Sequence, residues 1–485
     1  MPPATWPCLL LAAVLAVHLL LQALRLRHTR RLQNAWLLLC SYAFASWFSP
    51  GSALVLLGST VATYGLGRSI ATAPTARLRS RWLWLAIATQ LGLLAYFKYR
   101  GFFADNAREL LAVFGAHPDL RVERIWLPLG LSFYTFQNLG YCLDVYRGHV
   151  AAERDPLDFA LFVAFFPKLS LGPIERASTL LPQIRAPRPL SLAQLHSGAG
   201  LLLLGAYKKI AVADPLAALT DPLFAIQPEY RSGDVLAAAL LFTLQLYADF
   251  SGYTDMARGA SRMLGFELSR NFQAPYLARN VQVFWSRWHI TLSSWVNEHL
   301  FQWLATSGRW ARVLGTSGLL LVTMAVMGLW HGATWMFVAW GLYHGLWLCA
   351  FHRVRPFLYA LEQRMTPTGR GAFTVAGVAL TFAIVVIGEL LFRPADIGQS
   401  AAMLRAVLLE PGMHSATLTT VFAGLRSYWL VLVLDLAERR TGERAVESWP
   451  AALRTLLYGY ALFEIFRTIG GHPAWSGEAF HYLRF

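Results

Sequence analysis

Apolar stretches separated by short, arginine-rich connections recur from one end of this chain to the other. A helix needs roughly 20 apolar residues to cross a bilayer. By that measure the candidate spans are 6–24, 34–49, 52–67, 82–97, 125–146, 198–213, 235–250, 316–330 running on into 332–351, 374–392, 417–434 and 451–468. Several are short, so about ten or eleven crossings are expected. Composition agrees, since 14% of the 485 residues are charged where a soluble domain carries about a quarter. Backbone away from water must satisfy its own hydrogen bonds, which helices do within a single segment. The expected fold is therefore all-α and polytopic, an integral membrane protein.

The first stretch runs directly into "RLRHTRR", Arg25 to Arg31, with no charged leader and no small-residue cleavage site. It reads as an uncleaved span and not as a signal peptide. Basic clusters are retained on the cytoplasmic side. The next one (Arg68, Arg77, Arg79 and Arg81) follows two further spans joined at Ser49–Gly51, which returns it to the same side. The N-terminus is then external. The net charge of +15 fits this positive-inside pattern and contact with anionic lipid. Nucleic acid is not expected as a partner, because the aromatic residues lie in the spans and not among the arginines. Of the four cysteines no pair has CxxC spacing, so neither a disulfide framework nor a zinc site is expected. The longest polar connections, around 101–124, 147–160, 174–197 and 353–372, are too short to hold a core of their own. Residues 1–485 are expected to form one membrane domain.

Two regions depart from simple spans. "FVAFFPKLSLGPIERAS", Phe162 to Ser178, is apolar but interrupted by Pro167, Gly172 and Pro173. Irregular backbone at membrane depth persists only inside protein or along a cavity, so a re-entrant segment is expected. In "LYADFSGYTDMARGASRMLGF", Leu246 to Phe266, an apolar run meets Asp249, a break at Ser251–Gly252, then Asp255, Arg258 and Arg262. A local Asp255–Arg258 pair at three-residue spacing is the expected fate of those charges.

Histidines in apolar surroundings are the sharpest candidates for chemistry, because an ionisable group in a span is expensive. "GLWHGATWMFVAWGLYHG", Gly328 to Gly345, holds His331 and His344. If 324–349 is one helix, His331 shares its face with Met324, Met327, Thr334, Trp335, Val338, Leu342 and Cys349, and His344 lies roughly opposite. The two are then no metal pair, which would want i, i+4 spacing on one face. His331 is either a neutral histidine bonded to a neighbouring helix or a base, while His344, among aromatics, reads as structural. In "NVQVFWSRWHITLSSWVNEHLF", Asn280 to Phe301, Phe284, Trp285, Trp288, Leu292, Trp295 and Val296 form one apolar arc on a helical wheel, with His289 at its edge. The pattern fits a helix in the interface or wedged under the spans, with its aromatic face inward. His289 is then an interfacial histidine with a hydrogen-bond partner or part of a site. No GxSxG or HExxH sequence is present. An imidazole with a pKa near 6.5 can take a proton from an attacking alcohol or carry one in a transporter. Both acyl transfer and proton-coupled transport follow from the chemistry alone.

Long motifs resemble the membrane-bound O-acyltransferases, in the branch of bacterial alginate O-acetyltransferases. They are Pro128–Gly148, "FFPKLSLGPIERA" (Phe165–Ala177), "DFSGYTDMARGASRMLGFEL" (Asp249–Leu268), Asn271–Trp295, Met327–Gly345 and, more weakly, Leu390–Leu404. The resemblance covers about 125–405 in order. It implies that His331, in the W-H-G motif, is catalytic, and that His289, in the R-W-H motif, is a second functional position reaching the same central tunnel. It further implies acetyl-CoA as the acyl donor substrate with no bound cofactor and no metal. The acceptor would be an extracytoplasmic polysaccharide, and an acetyl-carrier or transferase protein a partner. The setting would be the bacterial inner membrane. D-alanyl transfer to teichoic acid and peptidoglycan O-acetylation are the alternatives within the family. One departure stands out, where the branch carries Arg-Asp-Tyr and a glycine turn after the R-W-H helix. This chain has Asn297, Glu298 and His299, followed by "LFQWLATSGRW".

Overall fold

The computed structural model describes residues 6–24, 28–116, 122, 125–189, 191–225 and 229–471. Residues 25–27 of the first basic cluster lie outside them, as do 117–121, 123 and 124 of the connection 101–124. Every regular element among the described residues is helical. The chain packs as two compact units, residues 1–199 with 257–269, and residues 200–256 with 270–485.

The first unit holds α1 (Trp6–Ala23), α2 (Thr29–Phe48), α3 (Pro50–Thr72), α4 (Ala76–Leu94), a π-helical turn at Ala95–Tyr99, and α5 (Arg100–Val113). It continues through α6 (Leu131–Arg147), α7 (Pro156–Ala164), α8 (Phe166–Leu169), α9 (Ala177–Arg185) and the start of α10 (Leu192–Ala206). Proline at the first position of α3 directly after the extended Ser49 separates it from α2. Polar side chains tie α3, α4 and α6 together. Asn138 donates to Ser59 at 3.0 Å, Ser59 donates to Gln90 at 3.1 Å, and Gln90 donates to Thr63 at 2.9 Å. Such paired polar groups are how helices adhere where apolar surface alone gives no preference over lipid. The span expected at 125–146 begins as a helix only at Leu131, since Pro128 offers no amide donor and Gly130 is left-handed at φ +70°.

The proline-interrupted segment behaves as its sequence demands. Residues 161–175 are all buried, folded as the end of α7, the single turn α8 and an irregular stretch at 173–176. Lys168 within it donates to Gln137 at 2.5 Å and Val163 O at 3.2 Å, and Glu175 accepts from Ser269 N at 2.6 Å. The irregular backbone is thus enclosed by protein.

The second unit comprises the end of α10, a π-helical turn at Tyr207–Ala213, α11 (Asp214–Thr220) and α12 (Ser232–Met263) up to residue 256. It goes on through α13 (Val281–Trp285), α14 (Ile290–Val296), a third π turn at Asn297–Phe301, α15 (Gln302–Thr306) and α16 (Gly308–His331). Then come α17 (Trp335–Arg364), α18 (Pro367–Gly388), α19 (Ile397–Leu409), α20 (Ser415–Thr441) and α21 (Ala451–Gly471). Among the described residues, five helical segments are long and apolar enough to cross a membrane: Pro50–Thr72, Ser232–Met263, Gly308–His331, Pro367–Leu391 and Ser415–Thr441.

Three expectations are corrected here. Helix α12 is continuous through Ser251–Gly252, and that glycine is a packing position instead of a break. A Cβ at 252 would stand 2.8 Å from Gly205 O, so the glycines let α10 and α12 approach backbone to backbone. Asp255 does not pair with Arg258 but with Lys208 at 2.7 Å, and Asp249 pairs with Lys209 at 2.9 Å. Both lysines project from the π turn, and Lys209 also meets Asp214 at 2.7 Å. The third correction concerns 324–349, which is not one helix. Helix α16 stops at His331, residues 332–334 turn, and α17 starts at Trp335. The two pack so closely that a Cβ at 328 would lie 2.0 Å from Phe337 O, and one at 341 would lie 2.1 Å from Met324 O.

Candidate active site

The hairpin reverses the sequence expectation for its two histidines. His331 ends α16 and His344 lies in the third turn of α17, yet folding the chain back at 332–334 brings both imidazoles onto one indole. Trp340 packs edge-to-face with His331 at 5.1 Å between ring centroids and with His344 at 4.9 Å. The two histidines line one narrow cavity with Glu389, which sits in the 3-10 turn Glu389–Leu391 that follows α18. Aromatic side chains wall it: Phe284, Trp288, Trp340 and Phe392. All three ionisable residues are buried. No lysine or arginine is among the lining residues. Among the described residues no three His, Cys, Asp or Glu side chains cluster as a metal site.

Two polar atoms of the lining residues stand out. The indole Nε1 of Trp340 and the carboxyl Oε2 of Glu389 are buried and have no hydrogen-bond partner among the described residues. Buried polar groups are nearly always paired, so each exception calls for a reason.

His289 is placed differently from the wheel. The helix expected over 280–301 is interrupted, because α13 ends at Trp285 and α14 starts only at Ile290. His289 occupies the N-cap position of α14 in the left-handed region, φ 43° and ψ 53°. Beta carbons crowd the backbone there, so a non-glycine residue must be held by its surroundings. Asn271 does the holding. Its carbonyl accepts from Ile290 N at 2.8 Å, and its side-chain oxygen accepts from Thr291 Oγ1 at 2.6 Å. Asn280 caps α13 by accepting from Val283 N at 2.9 Å. The aromatic arc does face inward as expected, with Phe284, Trp285, Trp288 and Trp295 all buried. The His289 ring is buried against Phe250 at 4.8 Å and Trp330 at 6.0 Å, and Trp330 in turn meets His331 at 5.0 Å. His289 does not line the cavity; its neighbour Trp288 does.

Helix α12 forms a rigid backing. Tyr247 donates to Asp435 at 2.8 Å and packs against Trp288 at 6.1 Å, while the preceding Leu246 lines the cavity. The pairs Lys209–Asp249 and Lys208–Asp255 fix the same helix two and eight residues beyond Tyr247. The sequence reading missed Glu389, Lys208 and Lys209. Each carried a signal: Glu389 is the one charged residue of the expected span 374–392, and the lysines are adjacent within the span 198–213. At positions 297–299 the chain forms a π turn, with His299 buried against Trp295 at 4.9 Å. Such turns insert one residue into a helix and recur at functional sites.

Comparison with known proteins bears on what this cavity does. The sequence pattern of the membrane-bound O-acyltransferase family matches residues 149–392, a range that holds every residue lining the cavity. A probable alginate O-acetylase AlgI of Pseudomonas syringae pv. tomato is 35% identical over 437 residues, 87% of this chain and 81% of the relative. The probable alginate O-acetylase AlgI of Pseudomonas aeruginosa is 38% identical, over 78% of this chain and 70% of its own length. A peptidoglycan O-acetyltransferase of Helicobacter pylori is 29% identical, over 77% of this chain and 73% of its own length.

Proposed function

Since the chain belongs to the membrane-bound O-acyltransferase family and is thus an O-acyltransferase, we propose that it transfers acetyl from cytoplasmic acetyl-CoA to an extracytoplasmic, alginate-like polysaccharide. The acetyl group reaches the polymer directly or through an acetyl-carrier protein. Coenzyme A enters as part of a substrate, and no bound cofactor is required. The setting is the bacterial inner membrane, crossed about ten or eleven times around a central tunnel, with the N-terminus external.

The observation that carries this reading is His331 in a buried, aromatic-walled cavity whose lining residues include no fixed cation. In this proposal the neutral imidazole takes the proton of an acceptor hydroxyl as its oxygen attacks the thioester carbonyl carbon. The carbonyl electron pair moves to oxygen, then returns as the carbon–sulfur bond breaks. The departing thiolate recovers the proton from the imidazolium, giving ester and thiol with no net change at the enzyme. General-base help of this kind contributes roughly 10²–10⁴-fold. Holding both substrates in a closed site supplies the rest through orientation.

Acetyl as the group and a polysaccharide as the acceptor rest on the names of the AlgI relatives. Deleting the gene tests them. Loss of O-acetyl from the surface polysaccharide, restored by the wild-type chain and not by His331→Ala, is the expected result. Unchanged polysaccharide acetylation with loss of acetyl from muropeptides would replace the acceptor with peptidoglycan, as the name of the Helicobacter relative suggests.

A further inference from the structure

The acyl transfer proposed above, on which this inference rests, creates a negative charge on the thioester carbonyl oxygen. With no lysine or arginine among the residues lining the cavity, that charge needs an oriented donor already in place. Trp340 offers one. It lines the cavity, is 4% exposed, and its Nε1 has no acceptor among the described residues. The indole cannot readily turn to find another acceptor. Rings pack edge-to-face on it from four directions: His331, His344, Phe392 at 5.3 Å and Trp285 at 5.8 Å. The backbone beside it is equally fixed, because Gly341 presses on Met324 O. A buried N–H held unpaired beside the candidate base is a structural cost that a ligand oxygen would remove.

We propose that the Trp340 indole N–H is a catalytic donor that binds the carbonyl oxygen of the thioester as it becomes an oxyanion. The base and the donor then act on opposite ends of one event. His331 takes the hydroxyl proton while Trp340 holds the oxygen that receives the carbonyl electron pair. When that pair returns and sulfur departs, the indole N–H remains intact and no proton is lost from it. The donor belongs to α17 and the base to α16, so the hairpin turn at 332–334 sets the distance between them.

Trp340→Phe removes the N–H and keeps an aromatic ring. Tyr134→Phe is the matched control, since the Tyr134 hydroxyl is likewise buried and without a partner among the described residues but does not line the cavity. Membrane vesicles containing the full chain are given radiolabelled acetyl-CoA and alginate oligosaccharide, and initial rates are compared together with unfolding temperatures in detergent. Removing one such donor is expected to lower kcat by about 10²–10³-fold with KM for acetyl-CoA little changed, while Tyr134→Phe stays near wild type. Should Trp340→Phe fail to fold, benzothienylalanine at 340 replaces it, since its sulfur keeps the indole shape without a donor. Equal losses in the two phenylalanine variants, or a benzothienylalanine protein as active as wild type, would overturn the role of Trp340. A wild-type chain that moves no label, either to the oligosaccharide or to a carrier protein in vesicles from its own host, would overturn the acyl-transfer reading itself, and this donor with it.

Discussion

His331 and His344 pack on the same indole, at 5.1 and 4.9 Å from Trp340, although thirteen positions and a chain reversal separate them. The relationship exists because α16 and α17 touch at their backbones, and that contact depends on glycine. A Cβ at 328 would lie 2.0 Å from Phe337 O, an atom that cannot swing aside. Gly328→Ala is therefore expected to destabilise the protein by about 1–3 kcal/mol, as overpacking does. It should also lower transfer by about 10²-fold, since a shift near 1 Å between acting groups has that effect. Melting temperature and initial rate measure the two. An unchanged rate would mean that the hairpin does not set the site.

Lys209 lies between Asp214 and Asp249 at 2.7 and 2.9 Å, with 9% of its side chain exposed. Lys209→Met leaves the buried Asp249 and the partly buried Asp214 without their cation, at an expected cost of about 3–5 kcal/mol. Adding Asp214→Asn and Asp249→Asn removes the stranded charges and should recover most of that loss. Thermal unfolding of the single and triple variants in detergent decides it. A triple variant no more stable than Lys209→Met would show that the lysine acts by packing instead of by charge.

What could be read from the sequence follows a physical line. The 3.6-residue period and apolar run lengths locate α1 and α21 to within three residues at each end, and find α3, α18 and α20 with one end of each off by five to seven, because those spans obey only local rules. The proline and glycine interruptions of 162–178 announce irregular backbone for the same reason. Where tertiary packing decides, the pattern misleads. Gly332 reads equally well inside a helix or at its end, so a continuous helix puts His331 and His344 on opposite faces. Ser251–Gly252 reads as a break but serves a close approach to Gly205. Asp255 has a ready local partner in Arg258, yet pairs with Lys208 forty-seven residues away. Glu389 joins the site only through tertiary packing, which sets the adjacent Gly388 against His344.

The left-handed backbone at His289 gives a separate expectation. Glycine adopts φ 43° freely, whereas alanine retains the clash at about 1–2 kcal/mol. His289→Gly should therefore unfold at a higher temperature than His289→Ala, the reverse of the order in an ordinary helix. If alanine is the more stable, the turn between α13 and α14 is not as strained as its dihedral angles imply.

Topology is testable without any assay of activity. Single cysteines replacing Thr29 and Arg77, placed in a chain lacking its four native cysteines, should resist membrane-impermeant maleimide in intact cells and react after permeabilisation. Reaction of both in intact cells would reverse the orientation.

The role of His331 is tested most directly by His331→Gln beside His344→Gln. Glutamine keeps a hydrogen-bonding group of similar size but cannot take the hydroxyl proton. Acetyl transfer from labelled acetyl-CoA by the purified, folded variants is expected to fall by about 10²–10⁴-fold for His331→Gln and by no more than about tenfold for His344→Gln. A His331→Gln protein within about threefold of wild type, or a loss confined to His344→Gln, would contradict the assignment of His331 as the base.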